Sequence, residues 1–209
     1  MIDPKLTYVT YLGGSGSETP SSVAVDASGN YYVAAVTNSA GYPGVPSSPV
    51  PAGDLDLIVS KFSPTNALIY TTLIGGSAAD FAYATATDSD GSLYLSFAPA
   101  STNFPRPAGN AMGGTGAGTG VLKLSPSGAL TTVSTWAGPP NNPAAGQLNN
   151  ATYGLTLDAG RNVWLTGSRP GFAGQTGAMQ AAVADVFVVR MNNSLSQVTY
   201  FTYSGGGDR

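Results

Sequence analysis

The 209-residue chain contains neither cysteine nor histidine. Missing cysteine excludes disulfides, thiol nucleophiles and thiolate metal sites. Missing histidine excludes Ser-His-Asp triads and imidazole-ligated metal centres. Charge is also scarce: Asp, Glu, Lys and Arg together make up 9% of the chain, against about 25% in an average soluble domain. Ser, Thr, Asn and exposed backbone must therefore solvate most of the surface. The eight basic residues are scattered singly and the net charge is -3, which leaves no basic stripe for nucleic acid or an anionic membrane. No apolar run approaches the roughly 20 residues needed to span a bilayer as a helix, so no membrane insertion is expected. The opening MIDPKLTYVT lacks the basic and continuous apolar regions of a signal peptide. That leaves a soluble intracellular protein, or an excerpt whose export signal lies elsewhere.

What the chain has in abundance is turn-forming residues, 28 Gly and 15 Pro, and they recur at a fixed interval. Gly13-Gly14, Gly75-Gly76, Ala137-Gly138 and Gly205-Gly206 each end a similar segment, the first three of them 62 residues apart. Asp26, Asp88 and Asp158 open a turn in each repeat, and Lys61, Lys123 and Arg190 recur further along. A long fixed period signals an array of like supersecondary units. Each unit reads as four short strands. In the first these are Ser21 to Asp26, Tyr31 to Thr37, Leu55 to Phe62 and Leu68 to Ile74. The turns Ala27-Ser28-Gly29-Asn30 and Ser63-Pro64-Thr65-Asn66 suit tight hairpins. Strands such as LIYTT and VFVVR are apolar at consecutive positions, as expected where both faces of a sheet are covered. The small Ala24, Ala84, Ala86 and Gly154 suit inner strands that converge on an axis.

These features predict an all-β fold, a β-propeller array of three four-stranded antiparallel blades. The expected boundaries are 21–76 for blade 1, 83–138 for blade 2 and 151–206 for blade 3, within a single repeat array over 1–209. An all-β sandwich accommodates the same strand propensities but needs no internal period. The segments LTYVTYLGGSGSETPSSVAVDASGNYYVAAVTNS and DLIVSKFSPTNALIYTTLIGGSAADFAYATATDSDGSLYL, with DVFVVRMNNSLSQVTYFTYSGGGD, resemble the bacterial SBBP-type β-propeller repeat. The middle unit departs from that pattern at Gly113 to Gly120 and at TWAGPPNN. The resemblance implies an exported or surface-associated bacterial protein, in the extracellular space or cell envelope. It transfers no catalytic residue.

Residues 6–13 resemble the fourth, outer strand of a blade whose other strands are not in the chain. Three blades fall short of the 4 to 8 that close a propeller. The expectation is therefore part of a larger, six- to eight-bladed propeller, its ring completed by further blades of the same polypeptide or by a second copy.

Meander topology places the long loops 38–54, 100–118 and 169–184 on one edge with the links between blades. Tyr42, Phe104, Arg106, Arg169 and Phe172 are the candidate ligand-binding residues there; the alternative is that they pin their own loops. Glu18, Asp80 and Asp208 hold equivalent positions after the Gly-Gly element and are candidate Ca2+ ligands, or else acceptors that hold the crossover. Asp26, Asp88 and Asp158 fit Asx-type hairpin turns. Lys61, Lys123 and Arg190 are expected to lay their stems on a neighbouring blade and present their charges to solvent. GGTGAGTG lacks the Lys and the helix of a phosphate-binding loop. With no catalytic constellation and no required cofactor, the sequence favours a non-enzymatic scaffold binding protein or carbohydrate. A carboxylate- or calcium-dependent propeller lyase or glycosidase is one alternative, and a purely structural module of a large adhesin-like protein is another.

Overall fold

The computed structural model describes residues 7–45, 54–107, 118–136, 151–169 and 185–204. Within them the chain forms three four-stranded antiparallel sheets, each a meander in chain order. Blade 1 contains β1 (Glu18–Val25), β2 (Tyr31–Thr37), β3 (Asp56–Phe62) and β4 (Leu68–Ile74). Blade 2 contains β5 (Asp80–Thr87), β6 (Leu93–Pro99), β7 (Thr119–Leu124) and β8 (Leu130–Trp136). Blade 3 contains β9 (Ala151–Leu157), β10 (Val163–Arg169), β11 (Asp185–Met191) and β12 (Val198–Ser204). The strands lie where the repeat placed them, but the inner strands start two to three residues earlier than expected, at Glu18, Asp80 and Ala151.

Radial packing follows from what each strand carries. The inner strands β1, β5 and β9 lie side by side, β5 between the other two. Small side chains permit that approach: Ser22 Oγ lies 2.8 Å from Thr85 Oγ1, and the Thr87 hydroxyl donates to the Val25 carbonyl at 3.0 Å. The middle strands supply the apolar filling. Between blades 1 and 2, Tyr32, Ala34, Leu57 and Val59 pack with Leu93, Leu95, Phe97 and Leu122. Between blades 2 and 3, Tyr94 and Val121 meet Val163, Leu165, Phe187 and Val189. One strand thus contributes alternate residues to two different junctions, which explains the consecutive apolar positions.

The Gly-Gly element is a steric requirement at the crossover between blades. A Cβ on Gly76 would stand 2.5 Å from the Ser101 Cβ, and one on Gly14 would stand 2.7 Å from the Ser39 Cβ. No side chain fits at either distance.

Residues 7–14 depart from expectation, because they form no strand. A strand needs a ladder partner, and no described strand pairs with them. Tyr8, Val9, Thr10 and Leu12 instead border a recess against Tyr31, Val33 and Phe62 of blade 1. Among the described residues there is no helix, so none is long and apolar enough to cross a membrane.

Filling of the junctions predicts the cost of breaking one. Leu95 is completely buried in the blade 1–2 core, and Leu95→Ala should lower stability by about 2–5 kcal/mol in urea unfolding. Tyr153→Ser, at a residue 72% exposed on β9, should change it by less than about 0.5 kcal/mol; equal losses for the two would contradict the packing described.

Candidate functional site

The register divides each blade into two unlike edges. Pairing of Glu18 with Thr37, Thr37 with Asp56 and Leu57 with Ile74 gathers the start of β1, the end of β2, the start of β3 and the end of β4. That edge carries both the Gly-Gly crossovers and the long β2–β3 loops. The opposite edge carries only tight turns.

On the loop-rich edge, Glu18 and Asp80 hold crossovers. Asp80 is fully buried and accepts from the backbone N–H groups of Gly76 (3.0 Å), Ala100 (2.9 Å) and Ser101 (3.1 Å), and from the Ser101 hydroxyl (2.8 Å). Glu18 accepts from the Gly14 N–H, the Thr37 hydroxyl and the Ser39 hydroxyl. Burial alone would raise the Glu18 carboxyl, but the Ser39 and Thr37 hydroxyls and the Gly14 amide outweigh it and the net shift is downward. Both carboxylates thus tie a crossover to the loop of their own blade. Asp208, the third residue of that candidate Ca2+ set, lies outside the described residues, and no group of three acidic side chains comes together among those described.

The candidate ligand-binding aromatics are packed from beneath. Tyr42 is buried with Ala35 and Ile58, and Phe104, its equivalent 62 residues on, is buried and stacked on Phe97 at 4.6 Å between centroids. Both rings anchor their loops and present no stacking surface to a ligand. Arg106 is partly buried and donates to the Thr135 hydroxyl at 2.8 Å. Arg169 ends β10 with its side chain outside the described set, as is the whole of Phe172. The exposed positions of the described loops are instead Asn38, Gly41, Pro43 and Gly44 in blade 1, and Thr102, Asn103 and Pro105 in blade 2. Asn38 and Asn103 accept from the Ser17 and Ser77 N–H groups, so the polar tips also brace the crossovers.

On the tight-turn edge the structure corrects the expectation for the recurrent cations. Lys61 does not present its charge to solvent. Its ammonium lies 3.6 Å from Asp26, with side chains only 7% and 5% exposed, and 4.8 Å over the Tyr32 ring. Lys123 pairs with Asp88 at 3.5 Å over Tyr94, and Arg190 pairs with Asp158 at 3.2 Å over Trp164. The same geometry arises three times because the aromatic stands six residues after the Asp and directly opposite the cation in the ladder. Each Asp also closes its hairpin by accepting backbone N–H groups two and four residues on, as in Ser28 and Asn30 to Asp26 at 3.0 and 2.9 Å. Sequence reading missed this acid–aromatic–cation unit, although the shared spacing of 26, 32 and 61 with 88, 94 and 123 is visible in the chain.

The unit also reaches the neighbouring blade. The Tyr32 hydroxyl donates to the Gly91 carbonyl at 2.7 Å, the Lys61 ammonium to the Pro126 carbonyl at 3.3 Å, and the Thr72 hydroxyl to the Gly128 carbonyl at 2.8 Å. Arg161, at positive φ where the other repeats have Gly29 and Gly91, bridges from blade 3 to Asp90 and Ser89 of blade 2.

Three meanders packed radially, with converging inner strands, define a β-propeller array. Residues 7–43 match the SBBP beta-propeller repeat family, covering the first crossover, β1, β2 and the start of the loop after it. That segment carries the SBBP-type repeat. No curated protein matches it.

Two tests follow from the tight-turn edge. Asp26→Asn leaves the Lys61 ammonium buried without its counter-charge and should cost about 3 kcal/mol or more; Lys61→Met, which leaves Asp26 its backbone donors, should cost less. Burial raises the Asp26 carboxyl, but donation from the Asn30 side chain and N–H, from the Tyr32 hydroxyl that it shares with the Gly91 carbonyl and from the Ser28 N–H outweighs it, and the net shift is downward. Its stabilising contribution is therefore complete above the ordinary carboxylate value near 4 and disappears as pH falls through the lower folded value. Melting temperature measured against pH should show a weaker acid limb in Asp26→Asn than in the parent.

The second concerns Tyr70, whose buried hydroxyl has no hydrogen-bond partner among the described residues. Burial, with a contribution from the Asp26 charge, pushes it up to about 12. A phenol raised from its ordinary value near 10 leaves stability independent of pH below 10, and between 10 and 12 stability falls because the unfolded chain ionises before the folded one. Tyr70→Phe should be neutral or slightly stabilising at pH 7 and should reduce the alkaline fall in melting temperature. An unchanged alkaline limb would exclude Tyr70 as its source.

Proposed function

We propose that the protein is a non-enzymatic β-propeller scaffold, part of an exported or cell-surface bacterial protein, that binds a protein or carbohydrate partner through the loop-rich edge. The observation that supports this reading most directly is the way the described loops are held. Tyr42 and Phe104 lock them from below and Glu18 and Asp80 from the side, while Asn38, Thr102, Asn103 and Pro105 remain exposed at their tips. Loops on a rigid support recognise partners at small entropic cost. The engagement of Glu18 and Asp80 in crossovers favours binding over carboxylate chemistry at this edge. The scarcity of charge favours recognition by hydrogen bonding and contact rather than by electrostatic steering.

The test is binding of the full chain to a glycan array and to a panel of purified surface proteins. The double substitution Thr102→Arg and Pro105→Asp, at exposed loop positions, should weaken the observed interaction at least about tenfold without changing the melting temperature. Binding unaffected by that change would remove the loop-rich edge from consideration. Calcium-dependent thermal stabilisation together with turnover of a polysaccharide would replace the scaffold reading with an enzymatic one.

A further inference from the structure

The three inner strands share one irregularity. In β1 the pairing with β2 skips Ser21, and in β9 the pairing with β10 skips Tyr153. In β5 the ladder to β6 shifts between Ala82 and Thr85, across Tyr83 and Ala84. Ser21, Tyr83 and Tyr153 each stand five residues before the Asp that opens the following hairpin, so one β-bulge recurs at one position of the repeat. A bulge turns its extra side chain out of the alternation that the ladder imposes. In β5 the Ser96 hydroxyl holds the bulge, accepting from the Ala84 N–H at 3.0 Å and donating to the Ala84 carbonyl at 3.3 Å. That leaves Tyr83 as the displaced residue.

Converging inner strands line the axis of a propeller, and they do so whatever the number of blades around it. Blade 2 has a neighbour on both sides, so its exposure does not depend on where the array begins or ends. There Leu93, Leu95, Phe97, Val121 and Leu122 of the middle strands are completely buried, whereas Phe81 on β5 is 41% exposed and Tyr83 only partly buried. Burial, with a contribution from the Tyr153 phenol, raises the Tyr83 hydroxyl, which places the two phenols near each other across the boundary between β5 and β9. Phe81 stands beside them at the loop-rich end of β5.

The chemistry of this surface selects its ligand. Glu18 and Asp80 are the charged side chains of the inner strands, and both are tied into crossovers. The other polar side chains of β1, β5 and β9 are Ser, Thr and Tyr hydroxyls. An ionic ligand would lose hydration here without gaining a counter-charge. A wholly apolar one would cover hydroxyls and leave them unpaired. A sugar ring avoids both costs: its C–H face packs on the electron-rich face of an aromatic ring, and its rim of hydroxyls bonds to those of the strands. We propose that Phe81, Tyr83 and Tyr153 form an axial stacking site for a neutral oligosaccharide at the base of the loop-rich edge. The inference rests on the reading of that edge as a binding surface and names carbohydrate, rather than protein, as the partner.

Isothermal titration calorimetry of the full chain with cellohexaose, mannohexaose and xylohexaose tests this, with polygalacturonate as the charged comparison. At least one neutral hexasaccharide should bind, and more tightly than polygalacturonate. Phe81→Ser and Tyr153→Ser alter exposed positions, so both should keep the circular dichroism and melting temperature of the parent while weakening that binding at least about tenfold. Tyr83→Phe, which keeps the ring, should retain most of it. Binding of no neutral hexasaccharide, preference for polygalacturonate, or affinities unchanged in both serine variants would overturn the axial site. In each of these cases a surface protein bound by the parent and lost on Thr102→Arg with Pro105→Asp would still uphold the loop-rich edge as a binding surface, so the two readings fail separately.

Discussion

Much of this architecture depends on a buried charge pair. An ammonium with only 7% of its side chain exposed, as in Lys61, has lost most of its hydration, and the carboxylate of Asp26, the face of Tyr32 and the Pro126 carbonyl replace it. Such a pair tolerates little displacement. It fixes β3 against the β1–β2 hairpin, aims the Tyr32 hydroxyl at the Gly91 carbonyl and holds the Lys61 ammonium within reach of Pro126. The interaction that closes one blade thus also sets the position of the next. Apolar filling supplies most of the free energy of the junctions, but it is nondirectional. The acid–aromatic–cation unit adds the direction.

The gradient in exposure of the cation across the three units, from nearly buried in blade 1 to about one-third exposed in blade 3, follows from what lies next to each. Lys61 is covered by blade 2, Lys123 is 24% exposed beside blade 3, and Arg190 is 35% exposed on the face of blade 3 turned away from blade 2. In the third unit, hydrogen bonds from the Asn162 side chain and N–H, opposed by partial desolvation and assisted by Trp164 and Arg190, hold the Asp158 carboxyl well below the usual range. Local donors therefore keep the unit assembled even where no neighbour buries it. Exposed ion pairs contribute little by themselves, so the geometry of the last blade rests on its hairpin closure more than on its charge.

The period, the strand order and the Gly-Gly crossovers were legible in the sequence because each depends on local chemistry repeated along the chain. A tight hairpin needs Asp, Gly or Asn at set places, and a crossover where a Cβ on Gly76 would stand 2.5 Å from the Ser101 Cβ cannot carry a side chain. The candidate site was less legible. Tyr42 and Phe104 have the composition of a binding surface, and nothing local distinguishes a ring pointing outward from one stacked on Phe97. Lys61 was misread for a related reason: a lone cation on a strand is usually solvated, and its burial depends on an Asp 35 residues earlier in the chain. Both misreadings concern side-chain direction, which is set by tertiary neighbours. The segment 7–14 was misread because its sequence favours a strand while its ladder partner is missing among the described residues.

The unequal edges of the blade show where sequence variation is tolerated. On the tight-turn edge, substitution of the Asp, the aromatic or the cation would disturb a hairpin, a buried charge and a contact to the next blade together. On the loop-rich edge the requirements are narrower: Gly-Gly, a carboxylate at position 18 or 80, and one ring at 42 or 104 secure the base of each loop. Between those anchors Asn38, Ser39, Ser101 and Asn103 brace the crossovers, while exposed positions such as Gly41, Thr102 and Pro105 are held less closely. Even the anchors vary between blades 1 and 2, with Tyr42 exchanged for Phe104 and Glu18 for Asp80 while the carboxylate still ties the crossover to its loop. A repeat with its heavier structural constraints on one edge can vary the exposed positions of the other without rebuilding the blades, as the proposed binding role would require.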